Sequence, residues 1–100
     1  MRAWPATAVQ WRAFEAELAI AVSSARALDE VLAWLTALPG VGSVELAPHL
    51  MKSNPPQRWI KVGGHATDGN AAVLNLRLSE LPGGGLRLLE LDRGQPLGAG

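Results

Sequence analysis

The chain has 100 residues, 48% of them hydrophobic, and its nine basic residues are balanced by nine acidic ones. That apolar share suits a globular fold rather than a disordered one, and zero net charge gives no long-range field to draw the protein onto nucleic acid or anionic lipid. Cysteine is absent, which excludes disulfides, thiolate metal sites and a cysteine nucleophile.

The opening Met1-Arg2-Ala3-Trp4-Pro5 lacks the apolar run of a signal peptide, and no stretch approaches the roughly 20 apolar residues that span a bilayer. A cytoplasmic protein is the expectation. It should form a single α+β domain over residues 1–94, with 95–100 as a frayed C-terminal tail, because Gln95-Pro96-Leu97-Gly98-Ala99-Gly100 carries no periodicity.

Between Trp11 and Leu38, Ala, Glu, Leu and Arg dominate, and propensity alone favours one long helix. The pattern differs. Phe14, Ala16, Leu18, Ile20 and Val22 alternate with Glu15, Glu17, Ala19 and Ala21, which predicts a strand over Ala13 to Val22. Ser23-Ser24 then reads as an N-cap. Ala25, Leu28, Val31, Leu32, Leu35 and Leu38 form the apolar stripe of a helix that Pro39-Gly40 stops.

The rest of the chain reads as strands. Val44, Leu46 and Pro48 alternate with Ser43, Glu45 and Ala47, and the following His49–Pro56 loop holds Asn54-Pro55-Pro56, which cannot donate to a ladder. Arg58, Ile60 and Val62 then alternate with Trp59, Lys61 and Gly63. Asp68-Gly69-Asn70 is a hairpin signal. Taken as a three-residue loop, it sets Val62 opposite Leu76, Ile60 opposite Leu78 and Arg58 opposite Glu80; a two-residue loop would pair apolar faces with polar ones. The next strand, Ala72 to Leu78, turns at Pro82-Gly83-Gly84-Gly85 into a last one over Leu86 to Leu91. Its alternation shifts phase between Leu88 and Leu89, which reads as a bulge or as two-sided burial.

The predicted order is β-α-β-β-β-β: one helix packed on a mostly antiparallel sheet of four to five strands, the first two strands parallel by the right-handed crossover rule. The alternative is a single long N-terminal helix followed by a four-stranded meander. With Leu38-Pro39-Gly40-Val41 as its helix-to-strand junction, the opening βαββ resembles half of a ferredoxin-like domain, although the second crossover helix is missing. The expected core is Leu18, Ile20, Leu28, Leu32, Leu35, Val44, Leu46, Ile60, Val62, Leu74 and Leu76. Trp4, Trp11 and Trp34 are expected in the core, although the sequence leaves open whether the Trp4-Pro5 pair folds back as a lid or stays free for a partner.

Candidate chemistry is sparse. His65 stands three residues before Asp68, a spacing that could orient a general base but equally serves a turn. With His49 the only other histidine, neither a metal site nor a cofactor is expected. Gly63-Gly64 and Gly83-Gly84-Gly85 precede no helix and read as a bulge and a turn rather than phosphate cradles. The best candidate surface gathers His49, Lys52, Arg58 and Lys61 around an outward Trp59, with Arg77 on the same exposed side of the sheet. A rigid aromatic among cations is the composition of an interface hot spot.

The expectation is a non-catalytic interaction or regulatory module that binds a protein partner, or its own copy as a homodimer, through the sheet surface around Trp59. Membrane and nucleic-acid partners are not expected. One alternative is a small enzyme or small-molecule-binding protein using His65, Asp68 and His49; a second is single-stranded nucleic-acid binding through Trp59 and the basic loop.

Overall fold

A computed structural model describes residues 4–47 and 55–94. In chain order the elements are α1 (Ala8–Ser24), α2 (Leu28–Ala37), β1 (Val41–Leu46), β2 (Gln57–His65), β3 (Ala71–Glu80) and β4 (Leu86–Gly94). The two helices pack on a four-stranded antiparallel sheet, an α+β arrangement, with strand order β1-β2-β3-β4.

The predicted strand over Ala13 to Val22 is instead the middle of α1. Its start is written in Thr7-Ala8-Val9-Gln10, a capping box. The Gln10 amide donates to the Thr7 hydroxyl at 3.2 Å, and the Thr7 amide donates to the Gln10 side-chain oxygen at 3.1 Å. The period-2 pattern has a helical origin. Phe14, Leu18 and Val22 are four residues apart and all buried, while Ala16 and Ile20 form a second four-residue row facing solvent. Two interleaved rows of that spacing imitate a strand. Ile20, an expected core residue, is therefore 66% exposed.

Ser23 and Ser24 do not cap the second helix either. Both hydroxyls donate back to the Ile20 carbonyl, at 2.9 and 2.8 Å, and so finish α1. The chain then turns through Ala25–Ala27, which separates two helices where a single helix of either length had been expected. At the start of α2 the Arg26 amide donates to the Glu30 carboxylate at 3.2 Å, and Asp29 and Glu30 lie where the helix dipole favours acids. Pro39-Gly40 ends α2 as predicted, with Gly40 at φ 86°.

All strand pairs are antiparallel, so the parallel pair expected from a crossover is absent from the sheet. With two helices at the front, the opening is ααβ, and the resemblance to a ferredoxin-like half does not hold. The β2–β3 hairpin keeps the predicted face assignment but with a shifted register: Val62 faces Leu74, Ile60 faces Leu76 and Arg58 faces Leu78. The loop is Thr67-Asp68-Gly69, closed by Ala66 donating to Asn70 at 2.9 Å, with Gly69 supplying the positive φ of 85°. The expected register would have set Lys61 against Arg77. Like charges directly opposite are destabilising, whereas the observed pairing of Trp59 with Arg77 is favourable. The expected bulge in the last strand is present: Arg77 faces Glu90 while Leu78 faces Leu88, leaving Leu89 unpaired.

Leu18, Leu35, Ile60, Val62, Leu74 and Leu76 are buried as predicted, joined by Phe14, Leu78 and Trp4. Leu28, Leu32 and Val44 are half-buried against this core, as are Trp11 and Trp34. Leu46 is 38% exposed, because it lies at the far end of the edge strand β1. The Trp4 side chain is held in place by its own backbone: its carbonyl accepts from Thr67 at 2.8 Å, and it bridges Ala66 in parallel.

No described helix is long and apolar enough to cross a membrane. Pro48 to Asn54, which carry His49 and Lys52, and the predicted tail 95–100 lie outside the described residues.

Candidate functional site: the open face of the sheet

Strand alternation divides the sheet into two unlike faces. Ile60, Val62, Leu74, Leu76 and Leu78 point toward α1 and α2 and form the core. Gln57, Trp59, Lys61, Asn75 and Arg77 occupy the other face, which neither helix covers. Across that face the paired positions run in rows. One row is Glu45, Lys61, Asn75 and Asp92; the next carries Trp59, Arg77 and Glu90.

Arg77 is the best-anchored charge on this face. Its guanidinium donates through Nη1 to Gln57 Oε1 at 3.2 Å and through Nη2 to Glu90 Oε1 at 3.0 Å. The guanidinium carbon also stands 5.9 Å from the centre of the Trp59 ring, within cation–π range. Three strands thus contribute to one cluster: Gln57 and Trp59 from β2, Arg77 from β3 and Glu90 from β4. A half-buried Trp59 held in this way presents a rigid apolar surface rather than a mobile one. Beside it, Lys61 lies across from Glu45, and a shallow cleft of about 360 Å³ opens next to Lys61, Ser43 and Val73.

Trp59, Lys61 and Arg77 therefore share a face, as the sequence predicts. Arg58 does not: it pairs with Leu78 and shares the side of Ile60 and Val62. Gln57 and Glu90 were not predicted for this surface. Their signal was the pairing of Trp59 with Arg77, hidden by the incorrect register, together with the bulge at Leu89, which carries Glu90 opposite Arg77.

Of the alternative constellation, His65 and Asp68 lie at the β2–β3 hairpin. The Asp68 carboxylate accepts from the Asn70 amide at 2.9 Å and so makes the turn. His65 is an exposed residue at the end of β2 whose amide donates to the Gly40 carbonyl at 2.9 Å. The glycines are equally well explained. The bulge expected at Gly63-Gly64 lies instead on the facing strand, between Val41 and Ser43; a Cβ on Gly64 would collide with the Gly40 carbonyl, and Gly83, Gly84 and Gly85 all take positive φ in the β3–β4 turn. Among the described residues no three His, Asp or Glu side chains come close enough to share a metal ion.

A second concavity, of about 330 Å³, lies at the end of the sheet between Trp4, Trp11, Asp68 and Arg93, where the Arg93 guanidinium carbon sits 4.9 Å from the Trp11 ring. No family model, no curated protein and no solved structure matches this chain.

Proposed function

We propose that the protein is a non-catalytic binding module that takes a protein partner on the open face of its sheet, with Trp59 as the anchor. The observation that carries this reading is the cluster of Gln57, Trp59, Arg77 and Glu90, a polar framework from three strands that holds an aromatic surface in place on the uncovered side. An anchor already ordered before binding loses little entropy in the complex, and Trp and Arg are the residues that most often dominate interface energetics.

The charge pattern favours a protein over nucleic acid. Lys61 lies across from Glu45, and Arg77 is paired with Glu90, so the two cations are offset by neighbouring acids. A single-stranded nucleic acid needs a continuous positive groove along its backbone, which this arrangement does not supply. The matching partner surface places an apolar side chain on Trp59 and a carboxylate near Lys61. The enzyme alternative has less support, because Asp68 is committed to the turn beside His65.

Crosslinking and capture from the native extract test the reading when wild type is run beside Trp59→Ala and Lys61→Glu. A partner retained by wild type and lost by both variants, with their melting curves nearly unchanged, is the expected result. Equal capture by all three would refute it, as would recovery of nucleic acid instead of protein.

A further inference from the structure

One end of the sheet meets the start of the chain. Trp4 is fully buried there, its carbonyl accepting from the Thr67 amide at 2.8 Å. With Pro5, Trp11, Asp68, Leu74 and Arg93 it lines the cavity of about 330 Å³. That volume lies at the low end of ligand pockets and suits a molecule of about one ring.

Two polar groups of this wall are left unmet by the fold. The Trp4 indole N–H is buried and has no acceptor. Buried donors are nearly always hydrogen-bonded, so a donor left over in the wall of a cavity calls for an acceptor from outside the chain. Arg93 is the second group. Its register partner is Leu74, which puts it on the helix side of the sheet, with its guanidinium carbon 4.9 Å from the centre of the Trp11 ring. Among the described residues no carboxylate pairs with it. Arg77 shows the contrast: it too stands beside a tryptophan, but Gln57 and Glu90 take up its donors. The Trp11 contact holds the Arg93 guanidinium in place, and its donors stay available to an anion.

We propose that this cavity binds a small organic monocarboxylate. Arg93 pairs with the carboxylate, the Trp4 N–H donates to one of its oxygens, and the hydrocarbon part lies against Trp11, Pro5 and Leu74. A guanidinium matches a carboxylate in two parallel hydrogen bonds. The apolar wall favours a hydrocarbon body, which inorganic phosphate and sulfate lack. Asp68 on the same wall disfavours a second negative charge on the ligand. The inference goes beyond the binding of a protein on the Trp59 face and does not depend on it, because none of Gln57, Trp59, Arg77 and Glu90 lines the cavity.

Calorimetric titration of the full chain with benzoate, phenylacetate and isobutyrate tests the proposal, run beside benzyl alcohol as a neutral counterpart and inorganic phosphate as a bare anion. At least one carboxylate should saturate a single site in the millimolar range or tighter, with benzyl alcohol and phosphate at least about tenfold weaker. Arg93→Gln should weaken the carboxylate by at least about tenfold and leave the melting curve of the free protein nearly unchanged, because Arg93 is exposed. In proton–nitrogen spectra of the wild type, the assigned Trp4 indole N–H should move downfield on saturation, as a donor does on gaining a charged acceptor. Absence of saturable carboxylate binding overturns the proposal. So does an affinity unchanged in Arg93→Gln, or benzyl alcohol or phosphate bound as tightly as the carboxylates. A Trp4 resonance that stays in place at saturation would mean that water alone meets this donor, and would overturn the proposal too.

Discussion

The two faces of the sheet are made by the same strands and do different work. Under the helices, Ile60, Val62, Leu74, Leu76 and Leu78 are fully or almost fully buried, and their contribution follows from apolar area removed from water. On the open side, the neighbours of those residues along the chain form charge and aromatic pairs that remain in contact with solvent. Arg77 and Glu90 keep 32% and 46% of their side-chain surface exposed. Pairs this exposed add little to stability, typically below about 1 kcal/mol. One face therefore supplies most of the core, while the other, on which Val73 and Ser79 are also buried, carries the solvent-exposed pairs.

Large-to-small changes on the covered side should break this contrast most visibly. Leu18→Ala removes a fully buried side chain from the α1 face and should lower unfolding free energy by about 3–5 kcal/mol in a urea titration. A backbone contact comes next. Gly64→Ala forces a methyl group onto the Gly40 carbonyl and should cost about 1–3 kcal/mol, with the loss of amide-exchange protection concentrated at the β1–β2 pairing. Thr7→Ala removes the hydroxyl that caps α1 and should cost about 0.5–2 kcal/mol, without altering the β-sheet signature in circular dichroism. The smallest effect is expected on the open face. Trp59→Ala should cost about 1 kcal/mol or less, and the intact protein's Trp59 should be quenched by aqueous iodide more readily than the buried Trp4.

The same contrast explains which parts of the fold could be read from the sequence. Where a strand has one covered and one open face, alternation is unambiguous. The hairpin from Arg58 to Leu78, the bulge at Leu89 and the outward placement of Trp59, Lys61 and Arg77 all follow from it. The hairpin's exact register did not, because Thr67-Asp68-Gly69 and Asp68-Gly69-Asn70 are both plausible loops of odd length. Choosing between them requires weighing Lys61 against Arg77 and Trp59 against Arg77 across the strands.

In α1 the contrast is missing. Its two sides are both apolar, so the alternation of Phe14, Ala16, Leu18, Ile20 and Val22 carries no period that separates helix from strand. Local chemistry would have decided the matter. Thr7 and Gln10 write a capping box just upstream, and the Ala-rich composition of the segment carries helix propensity. The Arg77 cluster was partly hidden for a related reason: Gln57, Arg77 and Glu90 come from three strands and meet only once the register and the bulge are both in place.

Leu76 and Arg77 are consecutive residues of β3 pointing to opposite faces, and they test the division between those faces most directly. Urea denaturation of Leu76→Ala and Arg77→Ala, measured side by side at a concentration where the wild type is monomeric, should give a loss of about 3–5 kcal/mol for the first and about 1 kcal/mol or less for the second. Comparable losses for the two variants would mean that the open face is part of what holds the fold together, and would contradict the account.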